Sequence, residues 1–410
     1  MSSQKITEIE TRFPNLEVGA FNGILMYSVQ TRRKLGITTG RLRWHFISTA
    51  TEVEIKNNNP MRVFFNTGRG KWDQHGKPEN ESLCTKCSMD YVQDDYDFTA
   101  NRPIAMREVY ELIRNNDISG ARISRHPYNL RELMTALSFK YRDDPQLVLD
   151  WLSLAFCGVY EGCKKEFNIN KIFDPQVIKR DVALFLTKNV ENVRDFEDIS
   201  VQEASQKFEW FENIMKEAIG ILKEHLVWAK RCVAKAEELG KIKNVFVPAL
   251  SQRIRVIMVR CDSPKTAAFA RSKGYNVVIQ INKSGHVQVH GGCLKETTDG
   301  HTIKKWINMS WVAKELRFWE ARFRGVTIAE SDWTISDVVH DTDGKKIPWY
   351  LPEFLTSLYN GTMSSRDVSP TQIRDSKMFE IICKAFRSDR CEMLTQIDDG
   401  PREIVEKALV

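Results

Sequence analysis

Hydrophobic and polar positions divide the 410-residue chain into stretches of different period. Up to about residue 70, short apolar runs alternate with turn signals. Phe21 to Val29 is mostly apolar, and Trp44-His45-Phe46-Ile47 has strand character. Arg62-Val63-Phe64-Phe65 reads as a strand that discharges into Asn66-Thr67-Gly68-Arg69-Gly70. Ligands gather at the carboxyl ends of strands in α/β sheets, so that turn is a natural binding loop. Residues 76–103 are polar and rich in turn formers.

Helical periodicity takes over from about residue 104. Ile104, Val109, Leu112 and Ile113 share one face, and Asn115-Asn116-Asp117 is expected to end that helix before Gly120. Leu130 to Phe139 and Pro145 to Tyr160 predict two further helices, the second opened by Asp144 as cap and Pro145 in the first turn. Over 202–239, Ala204, Phe208, Phe211, Met215, Ala218 and Leu222 recur at helical spacing, with Gly240 as a stop. The pattern predicts one helix of about 35 residues, or two in series.

After Gly240 the period shortens. Val245-Phe246-Val247, Arg255 to Val259 and Val277 to Ile281 are β-branched runs, and His286-Val287-Gln288-Val289-His290 alternates strictly. Lys283-Ser284-Gly285 between the last two predicts a hairpin. A short helix is expected over 264–273 and a longer one over Trp311 to Phe323. From about residue 330 the pattern is mixed.

A hydrophobic share of 42% and a charged share of 28% belong to a folded globular protein. The length favours two or three units of about 150 residues each. No run approaches the ~20 apolar residues of a membrane span. The polar start, with Glu8 and Glu10, lacks the features of a signal or transit peptide. The expectation is a soluble intracellular protein, cytoplasmic or nuclear. Nine cysteines, an odd number, fit reduced thiols. Sixty Lys+Arg against 54 Asp+Glu give +6, which is compatible with a polyanionic partner but does not require one.

Four places carry candidate chemistry. Cys84-Thr85-Lys86-Cys87 is a CxxC to which His75 could add a third zinc ligand; two unconnected thiols in a polar loop are the alternative. In Gly70-Lys71-Trp72-Asp73-Gln74-His75, Asp73 offers a hard oxygen and His75 an imidazole to one cation or one water, or the segment is a solvated turn. Lys283, His286 and His290, with Gly285, Gly291 and Gly292, could hold a phosphate or form an ordinary β-turn. Lys304-Lys305-Trp306, Arg317-Phe318-Trp319 and Arg322-Phe323-Arg324 interleave cations with aromatics, as surfaces that stack bases do. The same pattern also describes a buried face beside a wet one. No Walker A loop, GxGxxG or GxSxG is present, so nucleoside-triphosphate hydrolysis and serine-esterase chemistry have no support.

In their order, these pieces resemble the DHH phosphoesterase superfamily, in the branch named after the melanocyte proliferating gene protein. Phe65 to His75 looks like the family's strand ending in Asp-x-Gly-Gly with a following Asp-His-His. Arg114 to Gly120 looks like the segment whose Asp completes the metal site. Residues 208–239 with Ala268 to Gly274 are similar to the linker helix and the start of the second domain. Asn276 to Val289 is the most similar stretch, and Leu358-Tyr359-Asn360-Gly361-Thr362 is similar to a turn near the family's end.

The resemblance implies an α/β, DHH-phosphoesterase-like two-domain architecture. A helix-rich N-terminal α/β domain with a helical insertion would span 1–200, a long linker helix 201–240, and a smaller sheet-bearing α/β domain 241–410. It also implies metal-dependent phosphodiester hydrolysis, including exonuclease action on RNA, with manganese or magnesium as cofactor. Asp73, His75 and Asp117 match ligand positions and would be the catalytic and metal residues. Asn66 and Gln74 stand where the family has Asp and His. The N-terminal ligand block falls on Glu17 to Leu25, where the glycine and phenylalanine are kept and both histidines and both acids are replaced. Too few anionic groups remain for two divalent ions. The expectation is a degenerate relative that binds nucleic acid or a phosphorylated ligand without full catalysis, in which Asn66, Gln74, Lys283, His286 and His290 contact the ligand and no cofactor is needed. The alternatives are a metal-dependent phosphodiesterase or 3′–5′ exonuclease on single-stranded RNA or DNA, and a structural subunit of a homo-oligomer or larger assembly that docks through the aromatics at 306–323.

Overall fold

The structure is a computed structural model. It describes residues 8–11, 14–28, 43–46, 62–65, 103–119, 123–124, 126–164, 168–191, 199–298, 301–334, 337–340, 342–343, 346–352, 355–361 and 368–398. The chain is of mixed α/β class and divides into two compact units, Met1–Leu222 and Lys223–Val410. Among the described residues, no helix is long and apolar enough to cross a membrane.

In the first unit, β1 (Glu8–Thr11) lies between β2 (Arg43–Phe46) and β3 (Arg62–Phe65) in a parallel sheet, with Ile9 opposite both Trp44 and Val63. Arg62 bridges Glu8 at 3.0 Å and Glu10 at 2.6 Å across the strands. After β1, Asn15 caps α1 (Leu16–Tyr27) by accepting the Val18 amide at 2.9 Å. The apolar run at 21–29 is therefore largely helix. α1 is apolar on nearly every side because nearly every side is buried.

Among the described residues, four helices follow in this unit before the long one: α2 (Pro103–Ser119), α3 (Leu130–Lys140), α4 (Pro145–Cys163) and α5 (Pro175–Glu191). α2 carries Asn115-Asn116-Asp117 in its last turn and has Ser119 as its last residue, just short of Gly120, with Val109, Tyr110 and Ile113 locked in the core before that turn. Asp144 caps α4 through the Leu147 amide at 3.1 Å with Pro145 in the first turn, as expected. Close helix contacts rest on glycine. A Cβ at Gly19 would lie 2.3 Å from Leu152 Cγ, and one at Gly23 2.6 Å from Phe156 Cβ, so α1 and α4 meet almost backbone to side-chain root. On its other flank α4 uses Gly158 and Gly162 in the same way against Val182 and Asp181 of α5.

α6 (Val201–Glu238) is one uninterrupted helix, about 57 Å long at 1.5 Å per residue. Ser200 and Glu203 open it reciprocally: the Glu203 amide donates to Ser200 Oγ at 3.1 Å, and the Ser200 amide donates to the Glu203 carboxylate at 2.8 Å. Gly240, at φ +64°, closes it while the Lys241 amide returns to the Ala236 carbonyl. The boundary between the two units falls inside this helix, after Leu222, rather than at its end. Its first half docks by stacking Phe211 on Trp151 at 5.3 Å.

The second unit is built on β4 (Ile242–Val247), β5 (Gln252–Arg260), β6 (Val277–Ile281), β7 (Val287–Gly291), β10 (Asp337–His340), β11 (Lys346–Leu351) and β12 (Ser357–Asn360), in the order β10-β11-β12-β7-β6-β5-β4. β5 and β6 are parallel, joined by α7 (Thr266–Ser272), and the other pairs are antiparallel. α8 (Ser310–Arg324) and α9 (Asp375–Ala385) cover one face, where Val256, Ile279 and Val289 meet Leu316 and Ile382. α7 and the last turns of α6 cover part of the other, where Val233 and Ala270 meet Ile257 and Val278. Burial on both faces explains the continuous apolar runs of β5 and β6, and the clean alternation of β7 marks the edge of that second layer. β8 (Cys293–Thr298), β9 (His301–Ile307) and β13 (Met393–Asp398) form a separate antiparallel sheet in the order β13-β9-β8.

Candidate nucleic-acid interface

α8 turns Val312, Ala313, Leu316 and Ala321 into the core and leaves Trp311, Lys314, Phe318 and Arg322 along the opposite side. Rings follow one another there. Trp333, in the turn after α8, meets Phe318 edge-on at 5.4 Å; Phe318 meets Trp319 at 5.9 Å; Trp319 meets Phe323 at 6.0 Å. Phe318 is 37% exposed and Phe323 48% exposed. Cations lie over these rings: Lys314 at 4.8 Å from Trp311 and 5.4 Å from Trp333, Arg390 at 5.1 Å from Trp311, Lys377 of α9 at 4.7 Å from Trp319, and Arg322 at 5.6 Å from Trp319. All fall within the ~6 Å over which a cation feels a ring's face. Lys377 also pairs with Glu380 at 3.2 Å.

Two of the arginines singled out in the sequence serve a different purpose. Arg317 is fully buried; its guanidinium donates to the carbonyls of Trp349 and Trp333, each at 3.1 Å. Arg324 is tied to Glu320 at 2.6 Å and to the Pro370 carbonyl at 2.8 Å. Arg317 therefore fixes the backbone of Trp333 from beneath, while Lys314 and Arg322 face outward. Sequence reasoning missed Lys314, Trp333, Lys377 and Arg390, which reach the surface from other turns and from α9. Lys304, Lys305 and Trp306 lie on strand β9, with Trp306 opposite Leu394.

The hairpin candidates do not converge. Gly285, at φ +83°, makes the turn, and its amide donates to the Asn282 carbonyl at 3.0 Å. Lys283 is exposed, 4.0 Å from Asp262. His286 is buried before β7 begins, with one ring nitrogen 2.8 Å from the Val368 carbonyl. His290 lies near the far end of β7, about 13 Å away at 3.3 Å per residue. There it contacts Gln288 at 3.1 Å and meets Tyr359 edge-on at 5.8 Å. Burial, and then the charge of Arg271, push its pKa down to about 4.

Asn66, Asp73, Gln74, His75, Cys84 and Cys87 lie outside the described residues, and Asp117 sits in the last turn of α2 with its side chain not described. Among the described residues, no group of three or more His, Cys, Asp or Glu could hold a metal ion. The Glu17 to Leu25 block lies on α1. Its glycine and phenylalanine have a packing reason: Gly19 admits Leu152, and Phe21 stacks on Phe65 at 4.4 Å.

No family model and no curated protein matches the chain. Among solved structures it is similar to an uncharacterized protein from Helicobacter pylori G27, at a TM-score of 0.27 and 8% identity, over 93% of this chain and 99% of that chain.

Proposed function

We propose that the protein binds single-stranded nucleic acid, and that the outer side of α8 is its contact surface. One observation carries this reading: four rings in series, Trp333, Phe318, Trp319 and Phe323, are overlaid by Lys314, Arg322 and Lys377. Unpaired bases present flat π faces to such rings, and the strand's phosphates supply the negative charge that lysine and arginine neutralise. The net charge of +6 acts in the same direction. Within the same proposal, the resemblance to DHH phosphoesterases makes the chain a degenerate relative that binds without full hydrolysis. Asn66 and Gln74 replace charged or imidazole groups, and the 17–25 block serves the core, which supports that part of the reading.

The test is fluorescence anisotropy of the full chain with a labelled twelve-nucleotide RNA or DNA. Binding that weakens with salt is expected. Phe318→Ala and Phe323→Ala should each cost about 1–3 kcal/mol, the range of one base-stacking contact. Unchanged binding in the double variant overturns the surface. Degradation of the label with Mn²⁺, abolished by Asp73→Ala, replaces the binder with the hydrolase. A stable multimer that Phe323→Ala dissolves, without oligonucleotide binding, replaces it with the assembly role.

A further inference from the structure

The two edges of the seven-stranded sheet in the second unit are finished differently. β10 is four residues long and shifts register against β11 between Val338 and His340. A short strand and a break in register are two ways in which a sheet keeps an edge from pairing further. β4, at the other edge, is six residues long and in unbroken register with β5. Its one charged residue, Lys243, is turned onto the Phe379 ring of α9 at 5.2 Å rather than across the edge. Asn244 is exposed, and so is the apolar Phe246, at 49%.

Two bonds fix which backbone groups of β4 point outward. The Met258 amide donates to the Lys241 carbonyl, directly opposite it in the β4–β5 register, so the hydrogen-bonded pairs of the ladder fall on Lys243, Val245 and Val247. Arg255, opposite Asn244, instead turns its amide and carbonyl to Asn276 at the start of β6, away from β4. The amides and carbonyls of Ile242, Asn244 and Phe246 therefore line the open edge, and among the described residues nothing bonds to them. This edge is complementary to itself. Antiparallel pairing about a twofold axis at Asn244 uses all three outward residues: Asn244 meets its own copy and Ile242 meets Phe246, with Lys243 opposite Val245 between them. No like charges face each other, and Phe246 gains an apolar neighbour. We propose that the chain forms a symmetric dimer through β4, joining the two seven-stranded sheets into one. The occupant is a second copy because the twofold satisfies every outward group of the strand with an identical strand. This contact is independent of the α8 surface.

Sedimentation velocity of the full chain, from about 1 to 100 µM, should show a monomer passing into a dimer by mass action. Asn244→Pro removes an outward amide that β5 does not use, and should raise the dimer dissociation constant at least about tenfold. Phe246→Lys, at an exposed position, should weaken the dimer in the same direction and serves if the proline variant does not fold. Asn244→Cys should be joined into a covalent dimer by oxidised glutathione, since paired Cα atoms on the axis lie about 5.5 Å apart, within disulfide reach. Lys243→Cys, whose two copies are offset along the strands, should cross-link no more than the parent. A chain that stays monomeric across that range overturns the proposal and leaves the edge to a strand of another protein. A dimer that the edge variants leave intact also overturns it, and one that Phe323→Ala dissolves places the contact on α8 instead.

Discussion

Glu320 on α8 accepts the indole N–H of Trp349 on β11 at 3.1 Å, and neither side chain reaches solvent. The same carboxylate takes Arg324 at 2.6 Å, the Gln372 amide at 3.0 Å and the Thr371 hydroxyl. One residue thus ties helix, sheet and the segment before α9 together. A buried charge stripped of its partner is far costlier than the pair is favourable. Glu320→Ala should therefore lower unfolding free energy by about 3–5 kcal/mol, because three neutral donors lose their acceptor and Arg324 keeps only the Pro370 carbonyl. Glu320→Gln should cost less, about 1–3 kcal/mol, since one amide oxygen still accepts. Urea midpoints read the order; equal losses in the two variants would count against a role for the charge.

Glycine makes a paired prediction. At Gly158 an added Cβ would sit 2.6 Å from Val182 Cγ2 and 2.8 Å from the Val182 backbone nitrogen, which has little room to move. At Gly220, inside α6, nothing lies within 4 Å. Gly158→Ala should destabilise by about 1–3 kcal/mol through overpacking. Gly220→Ala should stabilise by about 0.5–1 kcal/mol, because alanine loses less backbone freedom in a helix. Thermal midpoints should move in opposite directions, and a shared sign would refute the packing account of α4 and α5.

His290 should make the second unit acid-sensitive. Its folded pKa of about 4 lies below the unfolded value of about 6.5, so between those limits the unfolded chain binds the extra proton. Stability is therefore fully present above about pH 6.5 and falls as the pH drops towards 4. The loss approaches an upper bound on the order of 3 kcal/mol. His290→Gln should flatten this part of the profile. Hydrogen exchange of the β7 amides, followed from pH 7 to 4, gives a local reading; parallel profiles for both proteins would remove His290 as the cause.

Where local chemistry decides, the sequence was readable. Asp144-Pro145 opened α4, Gly240 closed α6, Gly285 turned the hairpin, and Val277–Ile281 was a strand at the residues expected. α9 carried a usable signal as well, since Met378, Phe379, Ile381 and Ile382 follow helical spacing and all are buried. Tertiary context decided the rest. α1 has no polar face to set its period, so its apolar run did not declare itself a helix. β12 pairs with β7, nearly seventy residues away, on its way between β11 and the sheet centre, and periodicity carries no information about partners. At the candidate surface the pattern of alternating rings and cations was visible, but not which cations would face out. That depends on the carbonyls of Trp333 and Trp349 being placed to receive Arg317.

Arg317 and Arg322, on one helix and five residues apart, should consequently part ways under substitution. Arg322 is exposed and touches the surface through Trp319, so Arg322→Ala should leave the unfolding midpoint within about 0.5 kcal/mol of the parent. It should weaken oligonucleotide binding and reduce the slope of log K against log salt by about 0.7, the value for one phosphate contact on a single strand. Arg317 has no solvent-facing role. Arg317→Ala should cost about 3–5 kcal/mol, as two buried carbonyls lose their donors and a core-sized side chain is removed. Any loss of binding in that variant should follow its loss of fold and recover at lower temperature, with the salt slope unchanged. A reduced salt slope in Arg317→Ala at a temperature where it is folded would mean that the guanidinium reaches the strand after all, and that the α8 surface is arranged differently from the one described.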